Sequence, residues 1–552
     1  MPKIEISRAD LASLLGAEVE EGAGSIRKPL LKLKAELESC GGDALKIELK
    51  DTNRPDLWCV EGVARGLRAI RTGRMDHLAD LPPAGRELVV DESVSGIRPW
   101  IAAFAAGGPP LSALAVEALI ASQEKLAGSF GRNRKTAAIG FYRLSGLTFP
   151  VTYAAVAPTT VFHPLGEERP MSLDEVLERT EVGRRYAPLL DGAAGYPLLK
   201  DSAGMVLSFP PVLNAEETGR ISEGDSEIFC EVTGTDWHTV QLTAVILACN
   251  LEDRGFSIEP VRIIYPGSSP GGEEVCSPVP YADTLTAGFD LISSITGCPA
   301  DPDAISDALS SMDYTSWLTG PNEVRAVLPP YRHDGMHPVD LVEDIAVARG
   351  FDAYPPLMPP DFTVGAPAPE EETSDALRTI MTGLGCEELL LPVLQSRERP
   401  GTAPPGAVSI RNPMTAEYSA VRNSLLPGLL GVESASGHSS YPHRLFEVGE
   451  VLLDEGGRLL TEIRLACTVF GNEAFFGDAH SILGAICSQR SARLSLRPAE
   501  DLRFVPGRCA EIMIEERPCG MIGELAPSLL TAAGIARPGS AFEVELAAFA
   551  IR

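Results

Sequence analysis

The sequence predicts an α+β chain of several domains, and three observations carry that expectation. At 552 residues the chain is long enough for roughly three to four domains, each with its own core. Short strand-type alternations and 3.6-residue helical stripes both recur along it, and they alternate in the last third, as an antiparallel-sheet α+β fold requires. Two loose stretches, Asp80-Leu81-Pro82-Pro83 and the proline-rich residues 356–369, read as boundaries.

Composition narrows the class. Hydrophobic residues make up 44% and charged residues 22%, a globular balance. The longest apolar run, residues 100–121, is broken by Gly107-Gly108-Pro109-Pro110, so no membrane span is expected. Met1-Pro2-Lys3-Ile4-Glu5 has no apolar signal core, which points to the cytosol. Eleven cysteines without a Cys-x-x-Cys pair argue against zinc and against a disulfide scaffold. A net charge of −29 excludes a broad phosphate-gripping surface. If the chain works on RNA, a partner or local basic patches must supply the phosphate contacts.

Taken in order, Ser7-Arg8-Ala9-Asp10 before Leu11, Leu14 and Leu15 is a capping-type helix start, and Gly16 is its stop. Residues 45–49 alternate as a strand. Asp51-Thr52-Asn53-Arg54-Pro55-Asp56-Leu57 leads into a helix from Pro55 with Leu57, Val60, Ala64 and Leu67 as its buried stripe. Arg98-Pro99-Trp100-Ile101 opens the second domain. Leu114, Ala118 and Leu126 mark a helix ending near Gly128. Arg132-Asn133-Arg134-Lys135 is the densest basic cluster, either an RNA-facing patch or a solvated turn. Strand-like segments follow at 206–209 and 228–232, and Pro210-Pro211 stops the first at a sheet edge. Nothing in this region has the pattern of a Ser-His-Asp triad.

The most charged stretch is Tyr331-Arg332-His333-Asp334-Gly335-Met336-His337-Pro338-Val339-Asp340-Leu341-Val342-Glu343-Asp344-Ile345. Pro338 suits a first helical turn, and Leu341, Ile345 and Ala348 form the apolar stripe. Asp340, Glu343 and Asp344 fall at i, i+3 and i+4 on another face, with Asp334 in the lead-in. Two readings stand here. Acids in a first turn are favoured by the helix dipole alone. Clustered carboxylates also suit a hard cation such as Mg²⁺. Beyond the second boundary, Glu370-Glu371-Glu372-Thr373 precedes a helix with Leu377, Ile380 and Leu384, closed by Gly385.

Tyr-Arg-x-Asp-x-x-x-x-x-Asp-Leu-x-Glu-Asp-Ile-Ala, followed by Gly350-Phe351, resembles the magnesium-binding winged-helix module of the phenylalanyl-tRNA synthetase β chain, a class II synthetase family. Asp51 to Leu57 with Glu61-Gly62-Val63-Ala64-Arg65 resembles that family's N-terminal module. Ile410-Arg411-Asn412-Pro413, Val421-Arg422-Asn423-Ser424-Leu425 and Leu445-Phe446-Glu447-Val448-Gly449 resemble its catalytic-like module. The resemblance implies four parts: an N-terminal module at 1–85, a mixed α/β tRNA-editing module at 86–268, a winged-helix-like magnesium module at 269–357, and a class II synthetase-like antiparallel-sheet domain at 358–552. It implies Mg²⁺ on Asp334, Asp340, Glu343 and Asp344. It also implies an editing pocket of Leu199, Ser208, Asn214, Glu231 and Thr233. There, Glu231 and Asn214 would recognise tyrosine, and Ser208 and Thr233 would position the ester or a water; Ser208, Thr233 and Glu231 are the expected catalytic set.

The implied partners are an α subunit in an (αβ)₂ heterotetramer and tRNA(Phe). The final domain lacks the Gly-x-Gly-x-x-x-Arg run of class II ATP sites and has no P-loop. Aminoacylation is therefore expected on the α chain, with Arg422 in a structural ion pair. The expected activity is support of ATP-dependent phenylalanylation of tRNA(Phe) together with hydrolysis of mischarged tyrosyl-tRNA. A scaffold subunit with a silent pocket is the alternative.

Overall fold

The structure, a computed structural model, describes residues 2–359, 361, 363–401, 407–473 and 475–550. It divides into two compact units, Met1–Met358 and Pro359–Arg552. Pro360 and Phe362 of the expected linker lie outside the described residues.

The first unit begins with a three-stranded antiparallel sheet in which Ala44–Leu49 lies between Lys3–Ser7 and Ala35–Gly41. Ser7 Oγ accepts from the Asp10 amide at 3.1 Å, capping the helix Arg8–Leu15. Gly16 ends that helix at φ +59°, a left-handed conformation that costs glycine little. The helix expected from Pro55 starts later: Pro55–Leu57 is one 3₁₀ turn, and the α-helix runs Val60–Thr72. Val60, Ala64 and Leu67 are buried as the period predicts. Gly62 allows the close approach behind that turn, since a Cβ there would stand 1.7 Å from the Asp56 carbonyl oxygen.

A ten-stranded mixed sheet follows. Its order is Leu213–Asn214, Val206–Phe209, Tyr196–Lys200, Val151–Val156, Arg86–Val90, Ser257–Ser269, Trp100–Gly107, Glu227–Gly234 and Ala138–Arg143, with Gly272–Ser277 also paired on Ser257–Ser269. Arg86–Val90 runs parallel to both neighbours and the other pairs are antiparallel. The expected boundary at 268/269 therefore falls inside the hairpin of Ser257–Ser269 and Gly272–Ser277. The helix Ala113–Lys125 buries Ala115, Leu119 and Ser122, and Leu126 continues that face, whereas Leu114 is exposed. Leu126 is buried as expected, and Ala115 and Leu119 take the places expected of Leu114 and Ala118.

Helix Trp237–Asp253 buries every residue from Thr239 to Leu251, as an all-round apolar helix must. It packs on Trp100–Gly107 and Glu227–Gly234 and also on Val60–Thr72, so the N-terminal sheet and the large sheet share one core. The end of this helix carries a buried ion network: Arg65 to Asp253 at 2.8 Å, and Arg254 to Asp10 and Glu61 at 2.8 and 2.6 Å. The unit closes with a three-stranded antiparallel sheet, ordered Thr284–Gly288, Glu323–Val327, Thr315–Gly320. Helices Phe289–Thr296, Pro302–Ser311 and Pro338–Arg349 pack with it around Leu309, Val324, Leu341 and Ile345.

The second unit is a seven-stranded sheet, ordered Glu387–Glu388, His443–Glu455, Arg458–Phe470, Gly539–Glu545, Arg517–Leu525, Phe504–Ile514, Leu494–Pro498. All pairs are antiparallel except the first. Pro369–Gly383 and Phe476–Gln489 share one core with it, through Leu377, Met381, Leu483 and Ile486. Leu425, the N-cap of Leu426–Ala435, and Leu429 within that helix pack against Leu445, Val451 and Ala466. No helix among the described residues is long and apolar enough to cross a membrane.

Candidate functional site

Three of the expected pocket residues form a row across neighbouring strands. Leu199 pairs with Ser208, and Ser208 with Asn214. Directly paired residues share a sheet face, so the row is a consequence of register. Pro210 and Pro211 separate the strands of Ser208 and Asn214; as prolines they have no amide to offer a ladder, and they form the turn of this edge hairpin. Glu231 and Thr233 lie two apart on Glu227–Gly234, hence on one face of it.

The two groups meet because the sheet curls until its terminal strands touch. Asn214 Nδ2 donates to the Phe141 carbonyl at 3.5 Å, and the Arg143 amide donates to Thr218 O at 3.2 Å. Between them lies a cleft of about 160 Å³ lined by Gln123, Glu124, Arg134, Ser208, Asn214 and Glu231. Its groups differ in depth. Glu231 is 3% exposed and Ser208 2%, whereas Asn214 is only half-buried. Leu199 and Thr233, fully buried, stand behind the lining.

Tyr142, which the sequence reading missed, donates its hydroxyl to Glu231 Oε1 at 2.9 Å. Glu231 Oε2 has no hydrogen-bond partner among the described residues. Burial pushes the Glu231 carboxyl up to about 7, opposed by the Tyr142 hydrogen bond and the nearby Arg98 charge. The Ser208 hydroxyl neighbours that of Tyr142. At the mouth, Gln123 Nε2 donates to the Ile139 carbonyl at 2.9 Å.

The basic cluster divides. Arg132 and Lys135 are exposed, but Arg134 turns to the cleft: its Nη1 donates to Val212 O at 2.9 Å and its Nη2 to Glu124 Oε1 at 2.9 Å. Arg132, Asn133 and Arg134 all have positive φ, between 50° and 64°. Three such residues in succession store strain beside the cleft. The cluster's single sequence signal was its charge, which does not tell an inward arginine from a solvated one.

The acidic stretch is arranged differently from a metal cage. Asp334 is held by a two-point fork from Arg332, Nε to Oδ1 at 2.9 Å and Nη2 to Oδ2 at 2.8 Å. The same Nη2 reaches Asp344 Oδ2 at 2.8 Å, and Tyr314 donates to that oxygen at 2.7 Å. Glu343 is bridged by Lys34 to Asp51, at 2.8 and 2.9 Å. Asp340 Oδ2 accepts from the Met336 and His337 amides at 2.8 and 2.7 Å, capping Pro338–Arg349. Burial would raise the Asp334 carboxyl, but Arg332 and Arg54 hold it well below the usual range. The donors are the hard oxygens Mg²⁺ takes, yet no three metal-binding side chains converge among the described residues. As arranged, Asp334, Asp340, Glu343 and Asp344 do not fit a common ion, because Arg332, Lys34 and two backbone amides already occupy them.

This stretch docks on the N-terminal motif. Arg54 forks Asp56 at 2.8 Å twice, the same i to i+2 geometry as Arg332 and Asp334, and the two pairs interact. Arg65 lies 4.3 Å above the Tyr331 ring. Two motifs that the sequence shows 277 positions apart, Arg54 to Tyr331, are thus each other's partners.

In the second unit, the arginines near Leu426–Ala435 are engaged by buried glutamates. Arg422 Nη1 meets Glu447 at 2.7 Å, and Arg464 Nη1 meets Glu543 at 3.3 Å. These cations are neutralised, which leaves a nucleotide triphosphate no free arginine of this pair.

Residues 355–546 match the family described as "Phenylalanyl tRNA synthetase beta chain CLM domain", and residues 285–351 match "tRNA synthetase B5 domain". The chain is 32% identical to the phenylalanine–tRNA ligase beta subunit of Borrelia hermsii and 33% identical to that of Pyrococcus furiosus, each over 99% of both chains. Its fold also matches the solved N-terminal fragment of the Pyrococcus horikoshii phenylalanyl-tRNA synthetase beta subunit. That match has a TM-score of 0.59 and 32% identity, covering 63% of this chain and 99% of that one.

Proposed function

The chain belongs to the phenylalanine–tRNA ligase beta-subunit family, and from that premise we propose two tasks for it. It pairs with an α subunit, in an (αβ)₂ heterotetramer, to support ATP-dependent attachment of phenylalanine to tRNA(Phe). Its cleft hydrolyses tyrosyl-tRNA(Phe).

A phenylalanine pocket rejects an isostere bearing an added hydroxyl only about a hundredfold in the comparable valine/threonine case, so a second, hydroxyl-reading site is needed. The observation that carries the hydrolytic reading is Glu231: a deeply buried carboxylate with one oxygen free at the closed end of a cleft. A tyrosyl phenol at that end would donate a hydrogen bond to Glu231 Oε2, with Ser208 alongside. A phenylalanyl ring would leave the acceptor unpaired, at a cost of about 1–3 kcal/mol.

The difference in depth supports a different division of roles from the one the resemblance implies. Ser208 and Glu231, the buried groups of the lining, read the side chain with Thr233 behind them, while the half-exposed Asn214 faces the ester. Water attacks the ester carbonyl carbon, the bond to the ribose oxygen breaks, and the water's proton leaves to that oxygen, releasing tyrosine and the free tRNA end. The Asn214 amide, with Gln123 and Arg134 beside it, orients the water and stabilises the developing oxyanion. On Asp334, Asp340, Glu343 and Asp344 an ion would have to displace Arg332 and Lys34.

Co-expression with the cognate α chain tests the whole reading. The complex should phenylalanylate tRNA(Phe) and deacylate tyrosyl-tRNA(Phe) faster than phenylalanyl-tRNA(Phe), and N214A should lose the deacylation alone. Equal deacylation by N214A and wild type would remove Asn214 from the step, and no tyrosyl-tRNA(Phe) deacylation by the wild-type complex would leave the chain a scaffold.

A further inference from the structure

Behind the cleft lies a buried arginine that the ester chemistry does not use. Arg98 is 2% exposed. Its Nε donates to Thr233 Oγ1 at 3.1 Å, its Nη2 to the Thr233 carbonyl, and its Nη1 to the Lys135 carbonyl at 3.0 Å. Tyr153 fixes its backbone by donating to the Arg98 carbonyl at 2.9 Å. No carboxylate pairs with it among the described residues. A buried guanidinium satisfied only by neutral acceptors is costly, and an apolar side chain would fill the same space without that cost.

We propose that Arg98 is the positioning residue that makes this cleft selective for a phenol: it pins the Thr233 hydroxyl and holds positive charge behind Glu231, whose free oxygen then accepts the substrate hydroxyl. The proposal rests on the hydrolytic reading of the cleft given above. Two features carry it. Thr233 Oγ1 accepts from Arg98, so its own proton remains to be donated away from the guanidinium. Thr233 and Glu231 share a strand face, which puts the Arg98 charge behind the acid. Other groups near Glu231 are Tyr142 on Ala138–Arg143, Tyr153 on Val151–Val156, and Arg134 and Glu124 at the mouth. Burial lowers Arg98 to about 10, with Tyr153 and Glu231 opposing, so it stays charged throughout the working range. Without it the Glu231 carboxyl would hold its proton to higher pH and lose its role as acceptor.

The test uses the complex with its α chain, tyrosyl- and phenylalanyl-tRNA(Phe), and the variants R98M, R98K, T233V, E231Q and R98M/E231Q. In wild type the tyrosyl-to-phenylalanyl rate ratio should rise with pH through a midpoint of about 7. R98M should lower that ratio about tenfold and move the midpoint up by about one unit. R98K should restore the midpoint, and T233V should lower the ratio without moving it. In an E231Q background R98M should lower the ratio no further than T233V does, because only the Thr233 contact is then left to lose. An unchanged ratio and midpoint in folded R98M, or an R98M effect undiminished in E231Q, would overturn the proposal. Should R98M fail to fold, an unchanged ratio in T233V would overturn it equally. Binding of non-hydrolysable tyrosyl- and phenylalanyl-amide adenosines separates the two levels. If wild type neither hydrolyses nor binds the tyrosyl form preferentially, the reading of the cleft falls; if it does and R98M matches it, only Arg98's role falls.

Discussion

Tyr142 and Glu231 stand on neighbouring antiparallel strands, and the Tyr142 hydroxyl donates to Glu231 Oε1 at 2.9 Å. The cleft therefore already holds one phenol against this carboxylate. A substrate phenol on Oε2 would complete the acid's hydrogen bonding.

That arrangement has a cost to the fold. The folded Glu231 carboxyl titrates at about 7, raised by burial, against roughly 4.3 when unfolded. The folded chain binds the proton more tightly, so stability falls as pH rises between these values and stays reduced above 7, by on the order of 3 kcal/mol. E231Q should raise the melting temperature at pH 8 and much less at pH 5. Equal shifts at both pH values would show that the carboxyl is ionised in the folded chain throughout.

Arg332 serves Asp334 and Asp344 at once. R332M leaves both acids buried without their cation and should destabilise the first unit by about 3–5 kcal/mol, measured by urea denaturation. Asp334 titrates well below its usual range, so its contribution is full above pH 4 and is lost as pH falls through the lowered value. The acid-side loss of stability should be smaller in R332M. Stability within about 1 kcal/mol of wild type would show that the fork is dispensable.

Arg422 is paired with Glu447, whose carboxyl is raised by burial while the Arg422 charge and hydrogen bond oppose that shift. R422M should lower the stability of the second unit by a few kcal/mol while leaving the complex's KM for ATP unchanged. A raised KM with normal stability would place Arg422 at a nucleotide site.

Leu390 and Met414 are 91% and 99% exposed, on segments flanking the paired strands Leu394–Gln395 and Ala420–Val421, with Val393 and Tyr418 also exposed. Large exposed apolar side chains suit a protein partner. L390D/M414D should weaken association with the α chain at least about tenfold, read by sedimentation, without shifting the melting temperature of the chain alone. Unaltered association would place the α-chain contact elsewhere.

What could be read from the chain depended on the range of the interaction. The Ser7 cap, the Gly16 stop and the Val60–Ala64–Leu67 stripe are local and were legible. The helix start at Val60 rather than Pro55 was not, because Gly62 backs onto the Asp56 carbonyl, an approach that no helical period encodes. The acids of 334–344 carried a motif, but their partners Lys34 and Arg54 lie some 300 residues away in the N-terminal module.

By itself the sequence determined the α+β class, the family and the lack of an ATP motif in the last domain, which depend on residue identity and short spacing; Leu199, Ser208 and Asn214 became candidates only through the family resemblance. Only the tertiary structure decided where the candidates stand relative to one another. The large sheet curls until Ala138–Arg143 meets Leu213–Asn214, and that closure brings Tyr142, Glu231 and Asn214 around one cleft and leaves Thr233 to Arg98. Curl and closure follow from the summed twist and packing of ten strands, a property no stretch of residues carries alone.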